Sequence, residues 1–265
     1  MESPALILGV NAAVTVAAMI GLWAASLRLR DASIVDVFWG PGFIVLGLVT
    51  LGLADGYGPR RLYVFALTAA WGLRLAFHLF RRNWGKGEDY RYAAMRKRYG
   101  ARFGLVSLVT VFGLQAALMW IVSLPVQFAQ MSWTPKRFLW VDVLGGGLWA
   151  VGLAFESIAD RQLRRFKAHP RNRRTVMDRG LWRYTRHPNY FGEALIWWGF
   201  FAVSLVSTMG WWTVVSPLVM TFFLTRVSGV PPLERRMVRT RPGYRAYIRR
   251  TSTFFPLPPR DRARA

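Results

Sequence analysis

Seven stretches of this chain are apolar enough, and long enough, to leave water: roughly residues 5–27, 34–53, 62–80, 105–128, 138–158, 190–206 and 211–225. A helix crosses the hydrocarbon core of a bilayer with about 20 apolar residues. Inside that core every backbone N–H and C=O must be satisfied within the protein, so only helices or a closed barrel can span it. Stretches of this length favour helices. The expected architecture is all-α: a polytopic integral membrane protein with seven transmembrane helices and a cytoplasmic cap of loops and short helices. The whole chain, 1–265, is expected to form a single membrane domain. No basic region or small-residue cleavage site accompanies the first stretch, so it reads as a span and not as a cleaved signal peptide.

Charge tests that topology. The formal charge is +23, from 36 Lys and Arg against 13 Asp and Glu, in a chain that is 53% hydrophobic with 13 Trp and 18 Phe. A soluble nucleic-acid binder seldom carries that aromatic load, and a disordered basic tail does not carry that apolar mass. Sorted into the connections, 31 of the 36 basic residues follow the first, third and fifth stretches or lie in the C-terminal tail. The alternate connections hold only Arg60, Arg61, Lys136 and Arg137. The positive-inside rule then puts the N-terminus outside and the C-terminus in the cytoplasm, as expected in a bacterial inner membrane. Anionic lipid explains most of this basic rim, and an anionic cofactor can use the same surface. Nothing implies a nucleic-acid or protein partner. The absence of cysteine removes disulfides, thiolate metal sites and cysteine nucleophiles, and no metal site is expected.

Within the apolar stretches, ionisable groups are costly and mark candidate sites. Asp36 opens the second stretch in SIVDVFWGPGF, where it is either a helix N-terminal acid favoured by the dipole or a functional group. Glu156, Asp160, Arg164 and Lys167 are spaced to stack on one helical face leading out of the membrane. Such a stripe is either an internal ladder of ion pairs or a cradle for a ligand with hydroxyls beside the acids and phosphates beside the cations. Asn189, Glu193 and Trp197 share the next face, after Pro188 at a helix start and after Arg186 and His187. Trp71, Arg74 and His78 form a polar and aromatic face in the third stretch, with Arg74 the lone arginine inside a span.

The run RHPNYFGE (186–193), with Gly180-Leu181-Trp182 and ESIADRQLRRFK (156–167) before it, resembles the steroid 5α-reductase family. SIVDVFWGPGF and WGLRLAFHLFRRNWGKGEDYRY resemble its bacterial branch. The resemblance implies that residues 103–265 form a cofactor-binding region and 1–102 the substrate-side helices. It further implies NADPH as cofactor and reduction of the C=C bond of a 3-oxo-Δ4 steroid or similar lipophilic enone. The family's catalytic acid on the second span aligns with Asp36. Cofactor contacts align with Asp160, Lys167, Asn189 and Glu193, and a substrate-lining aromatic with Trp197. The family's catalytic tyrosine aligns with Trp71 and a cofactor-contacting asparagine with Glu156, and these are departures.

Hydride addition to an enone builds negative charge on the carbonyl oxygen, which needs a donor in a dry site. Asp36 donates there only if burial keeps it protonated. The missing phenol can come from Tyr90 or Tyr92, or the Trp71 indole can serve. The expected site is thus Asp36, Tyr90 and Trp71 for catalysis, and Asp36, Trp39, Arg74 and Trp197 for substrate. The expected cofactor set is Glu156, Asp160, Arg164, Lys167, Arg174, Tyr184, Arg186, His187, Asn189, Tyr190 and Glu193. The rival is a membrane methyltransferase: isoprenylcysteine carboxyl methyltransferase carries a similar Arg-His-Pro motif and binds S-adenosylmethionine with it.

Overall fold

The computed structural model describes residues 3–260. Helix makes up 79% of it, with no strand. The longer helices are α1 (Pro4–Leu29), α2 (Ile34–Leu53), α3 (Gly58–Asn83), α4 (Tyr90–Tyr99), α5 (Phe103–Ser107), α6 (Leu114–Met131), α7 (Trp140–Ala168), α8 (Pro188–Ser204), α9 (Val215–Phe222), α10 (Val230–Thr240) and α11 (Tyr244–Arg250). A π-helical stretch, Leu108–Gly113, joins α5 to α6. Among the described residues six helical runs are long and apolar enough to cross a membrane: Pro4–Leu29, Ile34–Leu53, Gly58–Asn83, Tyr90–Met131, Trp140–Ala168 and Gly210–Thr240. The expected sixth stretch, 190–206, is α8, whose 17 residues extend roughly 25 Å at 1.5 Å per residue. The protein is therefore an all-helical membrane protein with six long apolar helices among the described residues, where the sequence suggested seven.

The chain divides into two compact units. The first runs to Trp140 and adds Ser204–Ser216; the second is Val141–Val203 with the chain from Pro217 onward. This partition differs from the expected one at residue 103, which rests on sequence resemblance.

In the first unit α2 and α3 touch through their backbones. A Cβ on Gly40 would lie 2.0 Å from the Gly72 carbonyl oxygen, so only glycine fits. Such contact suits a bilayer, where lipid-like surroundings give no hydrophobic drive and small residues let backbones approach. Polar side chains add a second tie. Asn11 Nδ2 donates to Thr50 Oγ1 and to Gln127 Oε1, each at 2.8 Å, joining α1, α2 and α6 with all three side chains fully buried.

In the second unit α7 and α8 repeat the device. A Cβ on Gly152 would meet the Gly192 carbonyl at 2.6 Å, and one on Gly145 the Gly199 carbonyl at 2.5 Å. The paired glycines are seven residues apart on both helices, two turns of helix, so one seam runs along both. The chain after α11 is tied back by Leu257 N–H to Tyr184 O, Arg186 N–H to Ser252 O, and Arg260 N–H to Arg250 O.

Candidate functional site

Asp36 lies in the first turn of α2, and α4 is docked onto that turn. Tyr92 O–H donates to Asp36 Oδ1 at 2.8 Å, and Arg91 Nη2 donates to Oδ2 at 2.7 Å. Both carboxyl oxygens accept, so Tyr92, not Asp36, presents the O–H of the pair. Tyr92 is 6% exposed, whereas Tyr90 is 49% exposed. The Asp89 side chain caps α4 by accepting the Arg91 N–H, which sets which tyrosine of YRY faces inward.

The segment leading into α4 is anchored on the turn before α2. Glu88 Oε1 accepts the Ala32 N–H at 2.9 Å, and Arg96 grips both Glu88 oxygens at 2.8 and 2.9 Å. Burial opposes ionisation of Glu88, but the Arg96 and Ala32 hydrogen bonds outweigh it and hold its pKa below the usual carboxylate value. Asp89 behaves likewise: burial is offset by the Arg91 N–H and guanidinium.

Trp71 is fully buried and meets Phe43 edge-on at 5.4 Å. Trp39 stacks at a tilt on Phe43, and its indole N–H is committed to Gln115 Oε1 at 2.7 Å. Arg74 and His78 are half-buried on α3.

In the second unit the α7 stripe runs from buried Glu156 and Asp160 to exposed Arg164 and Lys167. Asn189 Nδ2 reaches Asp160 Oδ1 at 3.4 Å, so these two expected contacts come together. Glu156 lies where α7 and α8 touch: a Cβ on Gly192 would stand 2.6 Å from its backbone nitrogen. Glu193, Tyr184 and Arg174 are half-buried or exposed, and Trp197 is fully buried.

Arg186 is 6% exposed, and its fork is filled by the protein itself. It donates to both Glu234 oxygens, to the Ile248 and Thr251 carbonyls, and to Thr253 Oγ1. It therefore clamps the α8 approach to α10 and the C-terminal segment. His187 is 1% exposed, with Nε2 3.0 Å from Glu234 Oε1 and its ring stacked on Tyr190. Burial, only partly opposed by Glu234, lowers the His187 pKa and keeps the ring neutral. With Nε2 assigned the proton by its carboxylate partner, Nδ1 is an acceptor. Nδ1 is buried and has no hydrogen-bond partner among the described residues.

His187 and Arg186 line a cavity of about 110 Å³, walled by Phe166, Trp182, Tyr244 and Tyr247 with Lys167 among its lining. Burial raises the pKa of both tyrosines. The sequence reading did not single out Glu234, Tyr244 or Tyr247. Scarcity was the available signal for Glu234, one of 13 acids, set among arginines in LERR. Among the described residues no cluster of three or more His, Asp or Glu could hold a metal.

Fold and site together define a helical membrane protein with a buried acid–tyrosine pair and an arginine-clamped, histidine-lined cavity. The chain belongs to the family described as "Protein of unknown function (DUF1295)", which matches residues 22–251 and so includes all of these groups. It is similar to "Uncharacterized protein C594.04c" of Schizosaccharomyces pombe, at 25% identity over 264 residues, covering 89% of this chain and 75% of that protein. No solved structure matches.

Proposed function

We propose that the protein is a membrane-embedded, NADPH-dependent reductase of the steroid 5α-reductase type, acting on the C=C bond of a 3-oxo-Δ4 steroid or similar lipophilic enone. The observation that carries this reading is the Asp36–Tyr92 pair: a phenolic O–H oriented by a carboxylate that a guanidinium holds in turn. The phenol that the resemblance seeks on the third span, where Trp71 stands, is supplied by Tyr92 from the following connection.

The second unit suits an adenosine cofactor by its donor set. Asp160 and Asn189 offer partners for ribose hydroxyls, while exposed Arg164, Lys167 and Arg174 offer them for phosphates. His187 Nδ1, a buried acceptor without a partner, suits the exocyclic amine of adenine. The cavity is below the roughly 300–1,000 Å³ of whole-ligand pockets, so it takes one fragment of a dinucleotide. Arg186 positions this segment and does not bind phosphate. When bound, the nicotinamide supplies the hydride for the β-carbon of the enone. As charge builds on the carbonyl oxygen, the Tyr92 O–H turns from Asp36 Oδ1 to donate to it, while Arg91 stays on Asp36 Oδ2 and keeps the carboxylate in place. Trp39 and Arg74 of the first unit are read as substrate-facing.

We also read α8 as a seventh span, the α4 and 161–188 segments as a cytoplasmic cap, and the protein as residing in a bacterial inner membrane with its C-terminus in the cytoplasm. The methyltransferase reading uses the same adenosine groups but has no work for Asp36 and Tyr92. Titration of the detergent-purified protein with NADPH and with S-adenosylmethionine, followed by tryptophan fluorescence, separates the two. NADPH binding with turnover of progesterone or a related enone is expected. Binding of S-adenosylmethionine alone would sink the reductase reading.

A further inference from the structure

On the second unit the turn Gly180–Arg183 and the chain after α11 enclose a recess of about 420 Å³. Its lining includes four guanidiniums, Arg179, Arg183, Arg250 and Arg260, against one carboxylate, Asp178. Asp178 pairs with Arg250. Among the described residues Arg179, Arg183 and Arg260 have no acidic partner. Bringing together around one recess three cations that have no acidic partner among the described residues costs repulsive energy that an anion would relieve.

The recess is held in shape by contacts that its arginine side chains do not make. Gly180 has φ +59°, and Gln162 lies directly against it: a Cβ there would fall 2.4 Å from Gln162 Nε2. Gln162 Oε1 accepts the Leu181 N–H at 3.1 Å, and Trp182 Nε1 donates to Ala159 O at 3.1 Å. Tyr247 O–H donates to Trp182 O. The opposite wall is pinned by Leu257 N–H to Tyr184 O at 3.0 Å and Arg260 N–H to Arg250 O at 2.9 Å. The guanidiniums are thus presented from a fixed frame, which lowers the ordering cost of binding.

We propose that this recess binds a phosphate-class anion through Arg179, Arg183 and Arg260, with Arg250 locked by Asp178 as its wall. Guanidinium forks match phosphate oxygens two at a time, so arginines lining one recess suit this class of anion. The anion can be a soluble phosphate or the headgroup of an acidic phospholipid at the membrane surface. The proposal holds whichever adenosine cofactor the protein uses.

The test uses the full-length protein and reads Tm by tryptophan fluorescence in two settings. Detergent-purified protein is titrated with inorganic phosphate, and protein in lipid nanodiscs is compared between phosphatidylcholine alone and phosphatidylcholine with increasing phosphatidic acid. A rise in Tm is expected in at least one. Phosphate acting alone identifies a soluble anion; an effect confined to phosphatidic acid identifies a headgroup. Arg183→Ala and Arg260→Ala are each expected to raise the half-saturating concentration at least tenfold. Arg239→Ala, an equally exposed cation on α10, should stay within twofold. The proposal is overturned if neither anion raises Tm, or if Arg239→Ala weakens the response as much as Arg183→Ala.

Discussion

Tyr92 and Tyr90 differ by two positions and offer the same chemistry, yet one is buried against Asp36 and the other faces outward. On the proposed reductase reading, Tyr92→Phe is expected to cut kcat for enone reduction by on the order of 10²-fold, the scale of losing one oxyanion donor, with NADPH affinity within twofold. Tyr90→Phe should leave kcat nearly unchanged; equal losses from both would remove Tyr92 from its role. At His187 the sign of the pH dependence follows from burial. Its folded pKa lies below the ordinary 6.5, so the unfolded chain takes up the proton first as pH falls. His187 thus costs nothing above about pH 6.5 and destabilises progressively below it. Chemical denaturation between pH 7.5 and 5 should show this slope in the wild type, and a flatter one in His187→Gln. Arg186→Lys should destabilise the protein nearly as much as Arg186→Ala, because an ammonium cannot reproduce a fork shared among a carboxylate, two carbonyls and a hydroxyl.

Between elements, packing is decided by glycine pairs. Gly152 and Gly147 both sit in α7, but a Cβ on Gly152 would fall 2.6 Å from the Gly192 carbonyl while one on Gly147 meets nothing within 4 Å. Gly152→Ala should cost about 1–3 kcal/mol through overpacking. Gly147→Ala should be neutral or gain up to about 1 kcal/mol from helix propensity. Melting of the two variants in one detergent checks the contrast, and equal effects would mean that α7 and α8 do not touch as described. The docking of α4 rests on carboxylates. Glu88 and Asp89 titrate below their ordinary values of 4.5 and 3.8, so their contribution is complete above those values and is lost as pH falls beneath them. Near neutral pH α4 should stay over Asp36, and Glu88→Gln should loosen it, which hydrogen exchange across residues 88–99 would detect.

For the molecule as a whole, the distribution of basic residues predicts sidedness. The chain has no cysteine, so single introduced thiols report cleanly. Lys86→Cys and Arg239→Cys should react with an impermeant maleimide only in inside-out vesicles, and Trp133→Cys only in right-side-out ones. Labelling of Lys86→Cys and Trp133→Cys from the same side would overturn the seven-span topology. The family match across residues 22–251 takes in both compact units, so the Asp36 pair and the Arg186 clamp both fall within the shared stretch.

What the sequence determined by itself was the chemistry that a bilayer forces on a chain: apolar runs become helices because unpaired backbone groups are intolerable in lipid. The helices accordingly begin and end close to where hydropathy and Pro188 place them. Spacing along one helix also put Glu156 and Asp160 on one face, since helical periodicity is local, whereas the meeting of Asp160 with Asn189 on α8 is a matter of packing. Tertiary structure alone decided which groups meet across distance in the chain. Glu234 joins Arg186 and His187 from about 47 residues away, and Tyr92 joins Asp36 from 56. No local period encodes such pairs, because they arise from how helices and connections pack. The same packing turned Arg186 from an expected cofactor contact into an internal clamp, by surrounding its fork with the chain's own acceptors.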